Sequence, residues 1–271
     1  MSRRRPNARW PNTRVPNARR PSAGASRIAT GMAGAAALVA LAGAAGLAYL
    51  FLRPAAPPAV GLASTSPGAS VPIASRPSGT TATLGPGGLA GTWAIDPSIG
   101  SFSDFSDSFV GYRVNETLAQ NVANTAVGRT SFVSGSLVLD GTTITSVDIS
   151  ADLTRLQSDD DRRDGRLHEQ AIETDTFPTA TFKLTTPIEL GSLPVDGKTF
   201  SATATGALTL HGVTHTVLVA LQGQLQGGIV TVTGSVDIAF ADYAIERPTS
   251  FLVLSIEVHG IMEFQLHFRH G

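Results

Sequence analysis

Cysteine is absent from all 271 residues. That absence excludes disulfide staples, thiolate metal sites and cysteine nucleophiles. Charge is scarce: 15% of residues are Asp, Glu, Lys or Arg, against 42% hydrophobic, which suits a β-rich extracytoplasmic domain better than a charged cytosolic helical one. Acidic residues are missing from the first 27 positions, which hold eight arginines, so the net charge of −1 conceals a strongly basic end. No serine stands in a G-x-S-x-G context, and no G-x-G-x-x-G or phosphate-binding loop occurs. Nothing in the chain therefore points to an enzyme, and no cofactor is expected.

What is present divides the chain into four expected regions. Residues 1–27 contain a degenerate repeat, "RPNAR", "WPNTR", "VPNAR" and "RPSAG". Proline every five residues blocks helix, so this arm is read as disordered or polyproline-like. A basic arm suits anionic lipid or nucleic acid in principle; here it is read as the flank that sets membrane orientation, with no nucleic-acid partner. Residues 28–52, "IATGMAGAAALVALAGAAGLAYLFL", carry no charge and are bounded by Arg27 and Arg53. As a helix, 25 residues rise about 37 Å, enough to cross a bilayer with tilt. A secretory signal with a cleavage region at "GLAST" (61–65) competes with this reading, but its apolar core and basic leader are unusually long, which favours an uncleaved single-pass anchor. Because the arginines precede the run, the N-terminus is expected in the cytoplasm and the rest outside the cell membrane. Residues 53–88 are rich in Pro, Ala, Ser, Thr and Gly and read as a linker. Residues 89–271, about 180 positions, suffice for one core.

Within 89–271 the dominant pattern is period two. Val147, Ile149, Ala151 and Leu153 share one face, as do Phe200, Ala202, Ala204, Leu208 and Leu210. Val217, Val219, Leu221 and Leu225 form another series, and Val230, Val232, Val236, Ile238 and Phe240 a fourth. The final run of Leu252, Leu254, Ile256, Val258, Met262, Phe264, Leu266 and Phe268 keeps phase, with a bend expected at Gly260. Long strands with one apolar face, joined by Gly-containing turns, make an antiparallel meander. Closing it into an eight-stranded barrel removes the edges and turns the apolar faces inward. Small inward residues (Ala151, Ala202, Ala204, Gly206 and Gly234) leave room for an apolar ligand; the alternative is a barrel filled by its own side chains, a structural or interaction module displayed at the cell surface.

One stretch reads as helical, "DDDRRDGRLHEQAIETD" (159–175). Its acidic start lacks calcium-loop spacing and suits a solvated helix N-terminus. Arg163 and Asp164 are expected to pair with each other there. His259 and His267 fall in the polar phase of the last strand and are expected at the surface. His211 and His215, four apart in "ALTLHGVTHTV" (207–217), invite a metal reading. On a continuous strand they would stand about 13 Å apart, too far to share an ion, and no further ligand accompanies them. His211 is instead read as a hydrogen-bonding anchor of a strand corner containing Gly212, and His215 as a strand residue.

Six ordered segments carry a family resemblance: "GTWAIDPS" (91–98), "SLVLDG" (136–141), "RRDGRLHE" (162–169), "FPTATFKLT" (177–185), "GALTLHGVTHTV" (206–217) and "DIAFADYAI" (237–245). In this order they resemble the YceI-like family of bacterial lipid-binding domains, over Gly91 to about Phe268. The resemblance implies a lipocalin-like antiparallel barrel with a helix at one side. It also implies a long apolar tunnel holding a polyisoprenoid, quinone-like or fatty-acyl chain. Departures fall at the polar end of that tunnel. Glu116 stands where the family often has His, Arg166 where the helix pattern has His, and Phe240-Ala241-Asp242-Tyr243-Ala244 replaces Arg-Ser-Asp-Phe-Gly.

The expectation is thus a membrane-anchored, extracytoplasmic, non-catalytic binder of an apolar lipid. Tyr112, Val114, Phe132, Leu167, Phe177, Phe182, Leu210, His211 and Phe240 are its candidate ligand-binding residues. No metal site and no particular oligomeric state are assigned.

Overall fold

Alternation of apolar and polar side chains drives nearly every described segment into one antiparallel sheet. The structure, a computed structural model, describes residues 56–62, 88–248 and 253–271. The arm at 1–27 and the apolar run at 28–52 lie outside the described residues, and no described helix is long and apolar enough to cross a membrane. The strands are β1 (Gly91–Ile95), β2 (Phe109–Leu118), β3 (Val122–Thr130), β4 (Val133–Asp140), β5 (Thr143–Asp152), β6 (Gln157–Ser158), β7 (Thr179–Thr186), β8 (Ile188–Glu189), β9 (Thr199–Leu210), β10 (Val213–Gln226), β11 (Ile229–Ala239), β12 (Val253–Ile256) and β13 (His259–His270).

Eight of them close on themselves in the order β1-β4-β5-β7-β9-β10-β11-β13, with β13 returning to β1 through Trp93 opposite His270 and Ile95 opposite Phe268. This is the expected eight-stranded barrel. One edge of β13 is shared. Its last residues pair with β1, while Ile261–Gln265 pair with β2, which carries β3 and β6 beyond the closed ring. The β10–β11 connection is the two-residue turn Gly227-Gly228, both at positive φ, which matches the twist of paired strands.

The inward faces follow the sequence phase in β5, β9, β10 and β11. Two expectations for the last run are corrected. The break falls at Glu257–Val258 rather than at Gly260, which sits inside β13, and the register of β12 slips between Val253 and Ser255. Leu254, at the slip, and Val258, in the break, are both exposed.

The helical stretch is short. A helix, α1 (Asp161–Arg166), runs into one wider turn over Leu167–Ala171. Asp160 caps it, its carboxylate accepting from the amides of Arg162 and Arg163. Arg163 and Asp164 do not pair with each other as expected. Arg163 reaches Asp159 and Glu116, while Asp164 accepts from the Ser158 hydroxyl and amide at 2.6 and 2.9 Å. His259 is exposed beside Asp237, as its phase predicts. His267 also faces outward but is buried, because the 101–108 segment folds over it and Ser106 O accepts from its Nε2.

Candidate functional site

Inward side chains fill the barrel unequally along its length. Along the inner wall, Ala151, Ala180, Ala202 and Ala204 present methyl-sized side chains to one space. Four methyl-sized side chains in one zone cannot meet across a barrel of this circumference, and a void results. Its free volume is about 130 Å³, and its walls are almost wholly hydrocarbon. Space of that kind holds about ten water- or methylene-sized groups.

Larger side chains frame the void. Trp93 and Leu89 come from the first strand and the residues before it, Leu137 and Leu139 from β4, Phe264, Leu266 and Phe268 from β13. Trp93 is 1% exposed, donates its indole N–H to Leu89 O at 2.9 Å and packs edge-on to His270. At the rim, the loop between β8 and β9 presents Pro194 to the void, with Leu193 and Val195 exposed on either side.

Toward the β9–β10 hairpin lies a packed apolar cluster, in which Leu208 and Met262 also border the void. Phe240–Tyr243 form a single 3₁₀ turn after β11, which tucks Phe240 and Tyr243 against Leu208, Leu210, Val217, Ile238 and Met262. Beyond this plug stands the β9–β10 hairpin, whose two central residues are His211 (φ 51°) and Gly212 (φ 73°). A mirror-image turn needs positive φ at both positions. His211 tolerates it because its ring is held on both sides, with Nδ1 3.0 Å from Tyr243 O and Nε2 2.9 Å from Glu173 Oε2. Each ring nitrogen thus faces an oxygen of the protein, and neither stands open to a metal. Phe177 lies against the His211 ring and closes over Gly212, where a Cβ would come within 2.6 Å of it. His215 turns to Asp242 O and the Tyr243 ring. Among the described residues no group of three or more His, Asp or Glu side chains is arranged to hold a metal ion.

A polar cluster sits beneath α1. Glu116 is buried on the inner face of β2, where it accepts from Asn124 Nδ2 and pairs with Arg163 Nη2 at 3.5 Å. The Tyr112 hydroxyl lies buried in the same cluster, and burial pushes its ionisation well above the usual phenol range.

The nine candidate residues are distributed through these regions. Phe182 forms part of the cavity wall. Leu210 and Phe240 belong to the packed cluster. Val114 approaches Gly260, next to the Phe240 ring. Tyr112 packs on Gly128 beneath α1, and Leu167 ends that helix. Phe177 and His211 hold the far hairpin. Phe132 stands outside the barrel, 55% exposed, under the Arg155 guanidinium. The wall residues that the candidate set omits include Trp93, Leu137, Leu139 and Leu266. For Trp93 the signal was available, since it lies in "GTWAIDPS"; β4 and β13 carried it as plain alternation.

Several solved structures are similar to this chain. A polyisoprenoid binding domain from Saccharophagus degradans, implicated in plant cell wall breakdown, is 20% identical with a TM-score of 0.51, over 67% of this chain and 99% of that one. BcnA of Burkholderia cenocepacia is 18% identical (TM-score 0.46), over 59% of this chain and 95% of its own. A YceI protein of Campylobacter jejuni is 17% identical (TM-score 0.41), over 52% and 82%. No curated protein matches the chain. The YceI-like domain model matches residues 93–268, which spans the barrel from Trp93 to Phe268, and the chain belongs to that family.

Proposed function

We propose that the protein holds an apolar chain, a polyisoprenoid, quinone-like or fatty-acyl lipid, inside the barrel, and that the N-terminal apolar run anchors it to the cell membrane with the barrel outside. The observation that carries the reading is the hydrocarbon-lined cavity inside the barrel. A void of this size left empty forgoes the dispersion contacts of its whole lining, and an apolar chain restores them. Binding of an apolar chain at the Saccharophagus degradans domain supports the same ligand class.

Size narrows the pose. Room for about ten methylene-sized groups takes a segment of two isoprene units or a short acyl chain. A longer lipid then has its remainder at the rim, past Pro194, with Leu193 and Val195 as the apolar surface it meets first. Affinity comes from buried hydrocarbon, at about 25 cal/mol per Å² before ordering costs. With no polar atom of consequence in the wall, the cavity selects for chain and not for head group.

Native mass spectrometry and organic extraction of the full chain, purified from membranes in mild detergent, test this. An apolar lipid at near-stoichiometric occupancy is expected. Recovery of lipid-free protein that also fails to take up added polyprenol or fatty acid overturns the ligand. Recovery of the full chain from the soluble fraction, without detergent, overturns the anchor.

A further inference from the structure

The outside of an antiparallel barrel is normally wet and its side chains exposed. One outer patch here is not. Glu263 on β13 points outward yet is 1% exposed, with Thr233 of β11 at 2% and Arg129 of β3 at 4% beside it. A carboxylate that far from water is costly unless it is fully paired. Glu263 has two guanidinium partners. Arg129 Nη2 donates to Oε1 at 2.8 Å, and Arg113 Nε of β2 donates to Oε2 at 3.4 Å. The Arg129 guanidinium is sandwiched by aromatic rings, 4.2 Å from the centre of Phe109 and 4.5 Å from that of Phe105. The carboxylate thus fixes two guanidiniums side by side on the barrel wall.

Both guanidiniums also reach the same further segment, Arg129 through the nitrogen that bonds Glu263. Arg113 Nη2 donates to Pro57 O at 2.8 Å, and Arg129 Nη2 to Pro58 O at 3.4 Å. Three residues further on, Val60 and Gly61 lie along the outer faces of β9, β10 and β11, beside Ser201, Thr203, Gln222 and Ser235. Residues 56–62 therefore cross the sheet from β2 and β3 to β9.

The chemistry of the two sides matches. A proline has a carbonyl and no N–H, so consecutive prolines offer acceptors only. Two guanidiniums tied to one carboxylate offer donors only. Prolines are also extended before docking, so little chain entropy is lost on contact, the economy used by proline-peptide recognition generally.

We propose that this outer face is a docking site for a proline-rich extended peptide, with Arg113 and Arg129 as its two donors and Glu263 as the residue that positions them, and that its occupant is the chain's own segment 56–62. The stretch preceding the barrel is then not a uniform spacer. Its first part is fastened to the barrel wall, so residues 53–55 alone separate the docked segment from the apolar run at 28–52.

A synthetic, fluorescently labelled peptide of residues 53–63 tests the site on the full chain in detergent. In one variant, residues 56–62 are replaced by Gly and Ser; in a second, only Pro57→Gly and Pro58→Gly are made, which leaves the barrel sequence untouched. The peptide is expected to bind both variants and to bind the native chain at least tenfold more weakly, because its own segment occupies the site. Adding Arg113→Met to either variant is expected to weaken the peptide at least tenfold, with the thermal melt showing a folded barrel. A peptide carrying Gly at both proline positions is expected not to bind. No binding to either variant overturns the site. Equal binding to native and variant chains, or concentration-dependent self-association of the native chain that the peptide competes away, overturns the assignment of the chain's own segment as occupant.

Discussion

Two regions of the barrel interior are equally apolar and differ in outcome. Toward the β9–β10 hairpin, the 3₁₀ turn after β11 drives Phe240 and Tyr243 into the space that Leu208, Ile238 and Met262 leave. Around the void, Ala151, Ala180, Ala202 and Ala204 contribute only methyl-sized side chains, and Pro194 from the β8–β9 loop borders the space without filling it. Both regions obey the same alternation and are built from continuous strands such as β9 and β10. What separates them is summed side-chain volume and whether a connecting segment supplies a plug. A hydrophobic inner face is thus necessary for a ligand cavity and does not by itself produce one.

The contrast is most exposed to truncation in the packed region. Ile238 is 4% exposed in that plug. Ile238→Ala is expected to cost about 3 kcal/mol, as for large-to-small changes in a packed core, and to leave lipid occupancy unchanged. Chemical denaturation and extracted lipid per mole of protein read the two quantities. A loss below about 1 kcal/mol would mean the packed region is as loose as the hollow one.

The complementary change adds volume to the hollow region. Ala204→Leu places three more carbons inside the cavity and is expected to reduce lipid occupancy at least tenfold. The void accepts the added atoms, so the stability change should stay within about 1 kcal/mol, less than overpacking a filled core costs. Native mass spectrometry and a denaturant melt measure both. A loss of several kcal/mol would erase the difference between the regions.

Smaller effects are expected at the hairpin beyond the plug. His211→Asn keeps a residue that tolerates positive φ before Gly212 but removes the bonds to Tyr243 O and Glu173. About 1 kcal/mol should be lost. His211→Val should lose about 1–3 kcal/mol more, because a β-branched side chain is strained at this φ. Equal losses for the two would remove backbone conformation from the explanation.

The smallest effect lies at the surface, following β1. Asp96 accepts from Ser98 and from Arg269, and these bonds, Ser98 first, hold its carboxyl down at about 2. A carboxyl lowered on folding stabilises above its ordinary value of 3.8 and loses that contribution as pH falls toward about 2. Solvent screening keeps the effect below about 1 kcal/mol. The stability difference between the native chain and Asp96→Asn should shrink as pH is lowered through this window. A difference independent of pH would mean that the charge plays no part.

Much of the barrel was legible before any coordinates. Val147-Ile149-Ala151 and Ala202-Ala204 point inward as their spacing demands, since strand side chains alternate faces regardless of what surrounds them. The corner at His211-Gly212 was legible for the same local reason. Other features were not. Leu254 left the inward phase at a register slip set by the pairing of β12 with β2, and Val258 left it in the break before β13. His267 kept its outward phase and was buried all the same, because the 101–108 segment lies over it. Sequence alternation assigns a face and is silent on what covers that face.

That division holds for the whole molecule. Local backbone geometry, which depends on neighbouring residues alone, determined from sequence that the chain is an antiparallel barrel with an apolar interior and a histidine-anchored corner. Only the tertiary structure decided that the interior is packed in one region and hollow in another. It alone, too, brought Glu263 between Arg113 and Arg129 and laid Pro57 and Pro58 across them. Volumes, covers and charge pairs are sums over residues far apart in the chain, and no local pattern carries such a sum.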